Sequence, residues 1–219
     1  MQLASVMLAR YFGLVQLGEL NLNGRLYYHE LVAALVERYG FIKYPTDFTT
    51  VDESKGVEFT GGRSGNHVID KLVLLDIGIY LDTSVNTTLS QELWLELAEW
   101  AVQALGATFN PSMVKRHVYV SQVTFNSDLP ILAVNPILAK IGAVVTQEVE
   151  NNYKRCLEYE PTGVVIGFDA ESTKLGTAPF TVQRREGVPF SENKYFSSAP
   201  LKTDLHMELL RMWEEAMSD

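Results

Sequence analysis

Residues 70–105 read DKLVLLDIGIYLDTSVNTTLSQELWLELAEWAVQAL, and the reading of this stretch decides the fold. From Lys71 to Asp82 the odd positions Val73, Leu75, Ile77, Ile79 and Leu81 are all apolar. The even positions Asp70, Leu72, Leu74, Asp76, Gly78, Tyr80 and Asp82 are mixed. A period of two predicts one long strand, with the odd side chains on a core and the other face partly wet. Thr83 to Thr88 then turns the chain. Thr88 and Gln91 have the spacing of a capping box. Leu89, Leu93, Trp94, Leu97, Trp100, Ala101, Ala104 and Leu105 recur at helical intervals, and Gly106 is placed to end the helix. A sheet with a helix across one face is the nucleus this predicts.

Outward from it, Val57–Thr60 reads as a strand. The loop Gly61-Gly62-Arg63-Ser64-Gly65-Asn66 joins it to the long strand as an antiparallel hairpin. His117–Phe125 alternates as a third strand. Tyr11–Leu17 is read as a buried strand, because Gly13 and Gly18 argue against a helix interior. Gly163–Asp169 and Phe180–Arg185 are two more strands linked by a polar loop. Four helices follow from apolar stripes and caps, near residues 24–39, 88–105, 136–151 and 203–217. Asn23 is a candidate cap for the first, with Tyr27, Leu31, Ala34 and Leu35 as its stripe. Asn135-Pro136 is a strong start for the third, because Asn accepts from orphan amides and Pro suits the first turn. Its expected buried stripe is Leu138, Ile141, Val145 and Val149, with Ile137 and Val144 beside it. Gly142 in mid-helix costs about 1 kcal/mol relative to Ala and points to close packing. The last helix is expected to bury Leu205, Leu209, Met212, Trp213 and Ala216. Pro45–Lys55 and Glu186–Pro200 read as irregular.

Strands arriving in adjacent pairs, with helices between the pairs, predict a single α+β domain: a mostly antiparallel sheet carrying about four helices. The one place to consider a subdivision is 126–130. No internal repeat is evident.

Composition narrows the function classes. The chain has 219 residues, a formal net charge of -9 and 47% hydrophobic residues, enough for one substantial core or two small ones. Acidity disfavours nucleic acid, which needs a basic surface to displace counterions. The single cysteine, Cys156, allows no intrachain disulfide and suits a reducing, cytoplasmic setting. No apolar run is long enough to span a bilayer.

Catalytic signatures are missing. The sequence holds no P-loop, dinucleotide glycine fingerprint, serine nucleophile elbow or paired-cysteine zinc pattern. His29-Glu30 begins a zincin motif, but position 33 is alanine. Asp70, Asp76 and Asp82 fall about 20 Å apart at successive six-residue steps along one strand, too far to share a metal. No metal or cofactor is expected. A Ser197, His206 and Asp169 triad can be written down, but nothing in the sequence brings the three together.

Two segments carry candidate binding residues. Around Arg63 and His67 the glycine-rich loop could form a nest for a small anion, with Arg63 supplying a fork of donors. From Gln183 to Lys202, Arg184, Arg185 and Tyr195 are residue types that anchor interfaces. The competing reading there is an ordered connection whose arginines pair with acidic neighbours. The leading expectation is a non-enzymatic binding or assembly subunit, with a protein partner or self-association through Arg184, Arg185 and Tyr195. The alternative is a hydrolase or transferase for a small anionic ligand at Arg63 and His67.

Overall fold

The stretch from 70 to 82 is a hairpin. In the computed structural model, which describes residues 1–21, 24, 27–46, 56–131, 135–169, 171 and 177–218, strand β3 spans His67–Leu75 and β4 spans Gly78–Thr83. Asp76 and Ile77 form the turn between them, closed by the pair Leu75 and Gly78. A two-residue turn reverses the parity of the alternation. Ile79 therefore faces the side of Leu74, and Leu81 the side of Leu72. The core face is built from Leu72, Leu74, Ile79 and Leu81, together with Val57 and Phe59 of β2 (Val57–Ser64). Of the expected odd-numbered core residues, Ile79 and Leu81 lie on this face, Val73 is buried on the other side of the ribbon opposite Tyr80, and Leu75 is only half-buried. Ile77, expected in the core, is a turn residue and 53% exposed. Position 78 must be glycine because a Cβ there would meet the Gly13 carbonyl oxygen at 2.4 Å.

The opposite face of this hairpin carries buried Val73 between polar side chains that pair with one another. Asp82, almost fully buried, accepts from Arg10 Nε at 2.7 Å and Nη2 at 2.8 Å. The Arg10 guanidinium lies 4.0 Å from the centre of the Tyr80 ring, and Lys71 pairs with Glu58 at 2.9 Å. Asp70 lies on the other face from Asp82 and accepts from Ser84 Oγ. The three aspartates are therefore not on one face, and Asp76 sits in the turn.

Thirteen residues, Gln2–Leu14, form β1, which begins earlier than expected and stops before Leu17. A four-residue helix α1, Leu17–Leu20, follows. Helix α2, Tyr28–Tyr39, buries Val32, Leu35 and Tyr39 and ends at Gly40 in the left-handed region. The candidate cap Asn23 lies outside the described residues, as does most of Pro45–Lys55. Helix α3, Thr87–Leu105, ends at Gly106 as expected. Its cap is Asn86, whose side chain accepts from Leu89 N at 2.8 Å, two positions before the Thr88 of the capping box read from the sequence. Trp94 is buried on α3 and donates to the Ile79 carbonyl at 2.9 Å. Ser90, also buried, bridges Thr83 Oγ1 and the Ala9 carbonyl. These bonds tie the helix to the strands that its apolar stripe covers.

The remaining elements are β5 (Arg116–Asn126), α4 (Pro136–Tyr153), β6 (Gly163–Ile166), β7 (Phe180–Arg184), β8 (Lys194–Ala199) and α5 (Thr203–Ser218). Strand β8 lies inside the segment expected to be irregular. The strands are hydrogen-bonded in the order β2-β3-β4-β1-β5-β8-β7-β6, and every ladder whose register is described is antiparallel. Among the described residues the fold is α+β, with an eight-stranded antiparallel sheet and four substantial helices.

The chain divides into two compact units. The first is Val6–Ser121 with Pro200–Asp204, and the second is Gln122–Ala199 with Met1–Ser5 and Leu205–Asp219. Apart from the four-residue α1, their described element orders match: β1, α2, β2-β3-β4, α3, then β5, α4, β6-β7-β8, α5. The strand orders match as well, β2-β3-β4-β1 and β6-β7-β8-β5. A topological repeat is therefore present that the sequence does not display. Topology follows from where turns and apolar stripes fall, and many residue choices satisfy the same pattern.

Candidate functional site

The residues singled out from the sequence are mostly consumed by the fold. Arg184 and Tyr195 are directly paired across β7 and β8, and both are buried. The Arg184 guanidinium bonds the Glu160 carboxylate and donates to the Phe190 carbonyl at 2.9 Å. It also stacks over the Phe190 ring at 4.0 Å. The Tyr195 hydroxyl accepts from Ile131 N at 2.9 Å, and its ring packs on Phe125 and Trp213. Burial raises the Tyr195 pKa above the usual phenol range. Neither side chain is available to a partner. The competing reading, arginine paired with an acidic neighbour inside an ordered connection, is the one the geometry displays. Arg185 is half-buried and continues the strand, its amide donating to the Lys194 carbonyl.

Arg63 and His67 are both exposed, but they do not converge. Strand β2 runs through Gly61 and Gly62, and the turn is only Gly65-Asn66, with Gly65 at φ +55. Arg63 pairs with Val68, whereas His67 pairs with Ser64. Adjacent pairs of a ladder point to opposite faces. The two side chains therefore project to opposite sides of the ribbon, and of the glycines expected to form a nest, Gly62 is paired with Ile69 in the ladder and Gly65 sits in the turn.

Two members of the paper triad do meet. Ser197 Oγ lies 2.8 Å from His206 Nε2, and both residues are fully buried. Ser197 Oγ also donates to the Thr181 carbonyl at 2.7 Å. A carbonyl only accepts, so the single hydroxyl proton goes to Thr181 and His206 Nε2 must be the donor to serine. His206 Nδ1 has no hydrogen-bond partner, so no carboxylate orients the ring, and Asp169 is exposed. Burial lowers the His206 pKa to about 4. The ring is neutral, packed edge-on against Phe180 at 5.8 Å, and holds the hydroxyl from the wrong side for nucleophile activation. This pair is a structural clasp between β8 and α5.

What the sequence reading did not anticipate is exposed apolar surface on α4. Ile137, Leu138, Ile141 and Val144 are 66, 41, 54 and 62% exposed. Of the expected buried stripe, Leu138 and Ile141 are in solvent and Val145 and Val149 are only half-buried. The helix packs instead by its small-residue side. Gly142 is buried, and a Cβ on it would meet the Tyr159 carbonyl oxygen at 2.3 Å. Thr146 Oγ1 accepts from Tyr159 N at 2.8 Å. Asn135 caps the helix as expected, accepting from Ile137 N at 2.9 Å. Strand β6 is the last in the strand order, and its Val165 and Ile166 are each 61% exposed. In α5, Leu205 and Met212 of the expected core face are exposed, and His206, Met207 and Leu210 are buried in their place.

The first unit holds a cavity of about 330 Å³. Leu31, Leu35, Leu74, Trp94, Leu97 and Phe109 supply much of its wall, and Tyr28 and Asp76 are its polar neighbours. Burial pushes the Tyr28 pKa up to about 12, so the phenol stays protonated there. Among the described residues no cluster of His, Cys, Asp and Glu is spaced to hold a metal, and no helix is long and apolar enough to cross a membrane. No protein-family model matches the chain, and no curated protein matches it.

Proposed function

We propose that this chain is a non-enzymatic binding or assembly subunit that works through protein–protein contacts. One observation carries the reading: the uncovered apolar face of α4. The same position in the first unit's topology is filled by α2, which buries Val32, Leu35 and Tyr39 and turns His29, Glu30, Ala33 and Glu37 outward. Helix α4 turns outward isoleucine, leucine and valine. Contiguous apolar surface of this kind is expensive to leave in water and marks an interaction site. Strand β6, last in the strand order among the described residues, also presents Val165 and Ile166 to solvent.

A cytoplasmic setting belongs to the same reading. Cys156 is exposed and free, a state that a reducing compartment preserves. Net charge -9 argues against a nucleic-acid partner. The test is a photo-crosslinking side chain at Val144 in the native host. A protein adduct supports the proposal, and the absence of any protein adduct overturns it.

A second reading is favoured by the cavity. Its walls suit a small neutral apolar ligand better than the anion expected at Arg63 and His67, and its size falls at the lower end of ligand sites. Trp94 in the wall provides the readout. Titration with a medium-chain alcohol should quench tryptophan emission and raise the melting temperature. Unchanged emission and melting at saturation would remove this reading.

A further inference from the structure

We infer that the occupant of the α4 face is a second copy of this chain, docked with the two α4 helices antiparallel across a twofold axis at Val144. This rests on the protein-contact reading above and specifies its partner. At 100° per residue, Ile137, Lys140, Ile141, Val144, Glu148 and Asn151 fall on a single stripe, and all six are exposed. The stripe lies opposite Gly142 and Thr146, the side by which α4 rests on Tyr159.

The stripe is complementary to itself in one orientation only. Lys140 and Glu148 stand four residues to either side of Val144, each roughly 6 Å along the axis. Antiparallel docking at Val144 puts Lys140 of each copy against Glu148 of the other, twice, around a centre of valine and isoleucine. Parallel docking would set lysine on lysine and glutamate on glutamate. An isologous contact of the first kind is what a closed dimer requires. It also places a favourable charge pattern on a chain whose net charge of -9 would otherwise repel a second copy.

The area on α4 itself is that of a small interface core. Ile137, Leu138, Ile141 and Val144 expose on the order of 400 Å² between them, within the range of a monomer's largest apolar patch, and the exposed Lys140, Glu148 and Asn151 extend it as a polar rim.

Sedimentation velocity on the full chain, from low to high micromolar concentration, tests the inference. A reversible dimer is expected. Val144→Glu should raise its dissociation constant ~100-fold by placing two carboxylates at the axis, while its thermal melt as a monomer stays that of a surface substitution. Lys140→Glu and Glu148→Lys should each weaken the dimer ~10-fold, and the double swap should restore it to within ~3-fold. A monomer at every concentration, a dimer indifferent to Val144→Glu, or a double swap that fails to restore would overturn the inference. Photo-crosslinking from Val144 separates this inference from the broader one. An adduct of twice the chain mass supports it. An adduct of another mass overturns it and leaves the binding function standing, and no adduct overturns both.

Discussion

Acidification should unfold this protein in part through one imidazole. The unfolded His206 ring takes up a proton as pH falls below about 6.5, the ordinary histidine value. The folded ring, fully buried beside Ser197 and Phe180, does so only near about 4. Between those values the unfolded state binds more protons, so stability falls as pH falls. The contribution is fully present above 6.5 and lost by the time pH reaches about 4. Each pH unit in that window is worth about 1.4 kcal/mol, and the whole window about 3 kcal/mol. Burial is complete, so solvent screening does not reduce the figure materially. The comparison protein is His206→Gln, whose amide can still donate to Ser197 but cannot take up a proton. Its midpoint starts lower, because the ring packing on Phe180 is lost. Urea unfolding followed by circular dichroism at steps from pH 8 to 4 yields both pH slopes. The parent should lose about 3 kcal/mol more than the variant across the window. Parallel slopes would refute the neutral, buried histidine and with it the hydrogen-bond assignment to Ser197.

Gly142→Ala should destabilise the second unit by about 1–3 kcal/mol despite the better helix propensity of alanine, since the new methyl meets the Tyr159 carbonyl; a raised melting temperature would show that α4 does not rest there. Glu160→Gln should cost about 2–3 kcal/mol by leaving the buried Arg184 guanidinium without its counter-charge, and the double change Arg184→Met with Glu160→Met should cost less than the single one. Equal costs in denaturant melts would show that the pair contributes only packing. Tyr195→Phe should cost about 1–2 kcal/mol, because it strands the buried Ile131 amide while keeping the ring; a neutral substitution would mean that the amide finds another acceptor.

Local signals were legible where the chain's own neighbours supply the physics. Asn135 caps α4 and Gly106 ends α3 because an Asn side chain and a left-handed glycine satisfy orphan backbone groups wherever the helix lies. The antiparallel sheet with four substantial helices followed from period and punctuation alone. The turn at Asp76-Ile77 was hidden because the apolar alternation continues across it unbroken, and only the pairing of Leu75 with Gly78 shows the parity reversed.

Partnership was a tertiary matter. The sequence established that Arg184 and Tyr195 are capable of anchoring something. The β7–β8 register decided that they anchor the chain's own interior, with Glu160, Phe190 and Ile131 as partners. The sequence likewise determined that α4 carries an apolar stripe, but a stripe records only that burial is favourable, not against what. Which side of α4 rests on the protein was decided by Gly142, where the Tyr159 backbone approaches closer than any side chain would permit. That contact turns Ile137, Ile141 and Val144 outward.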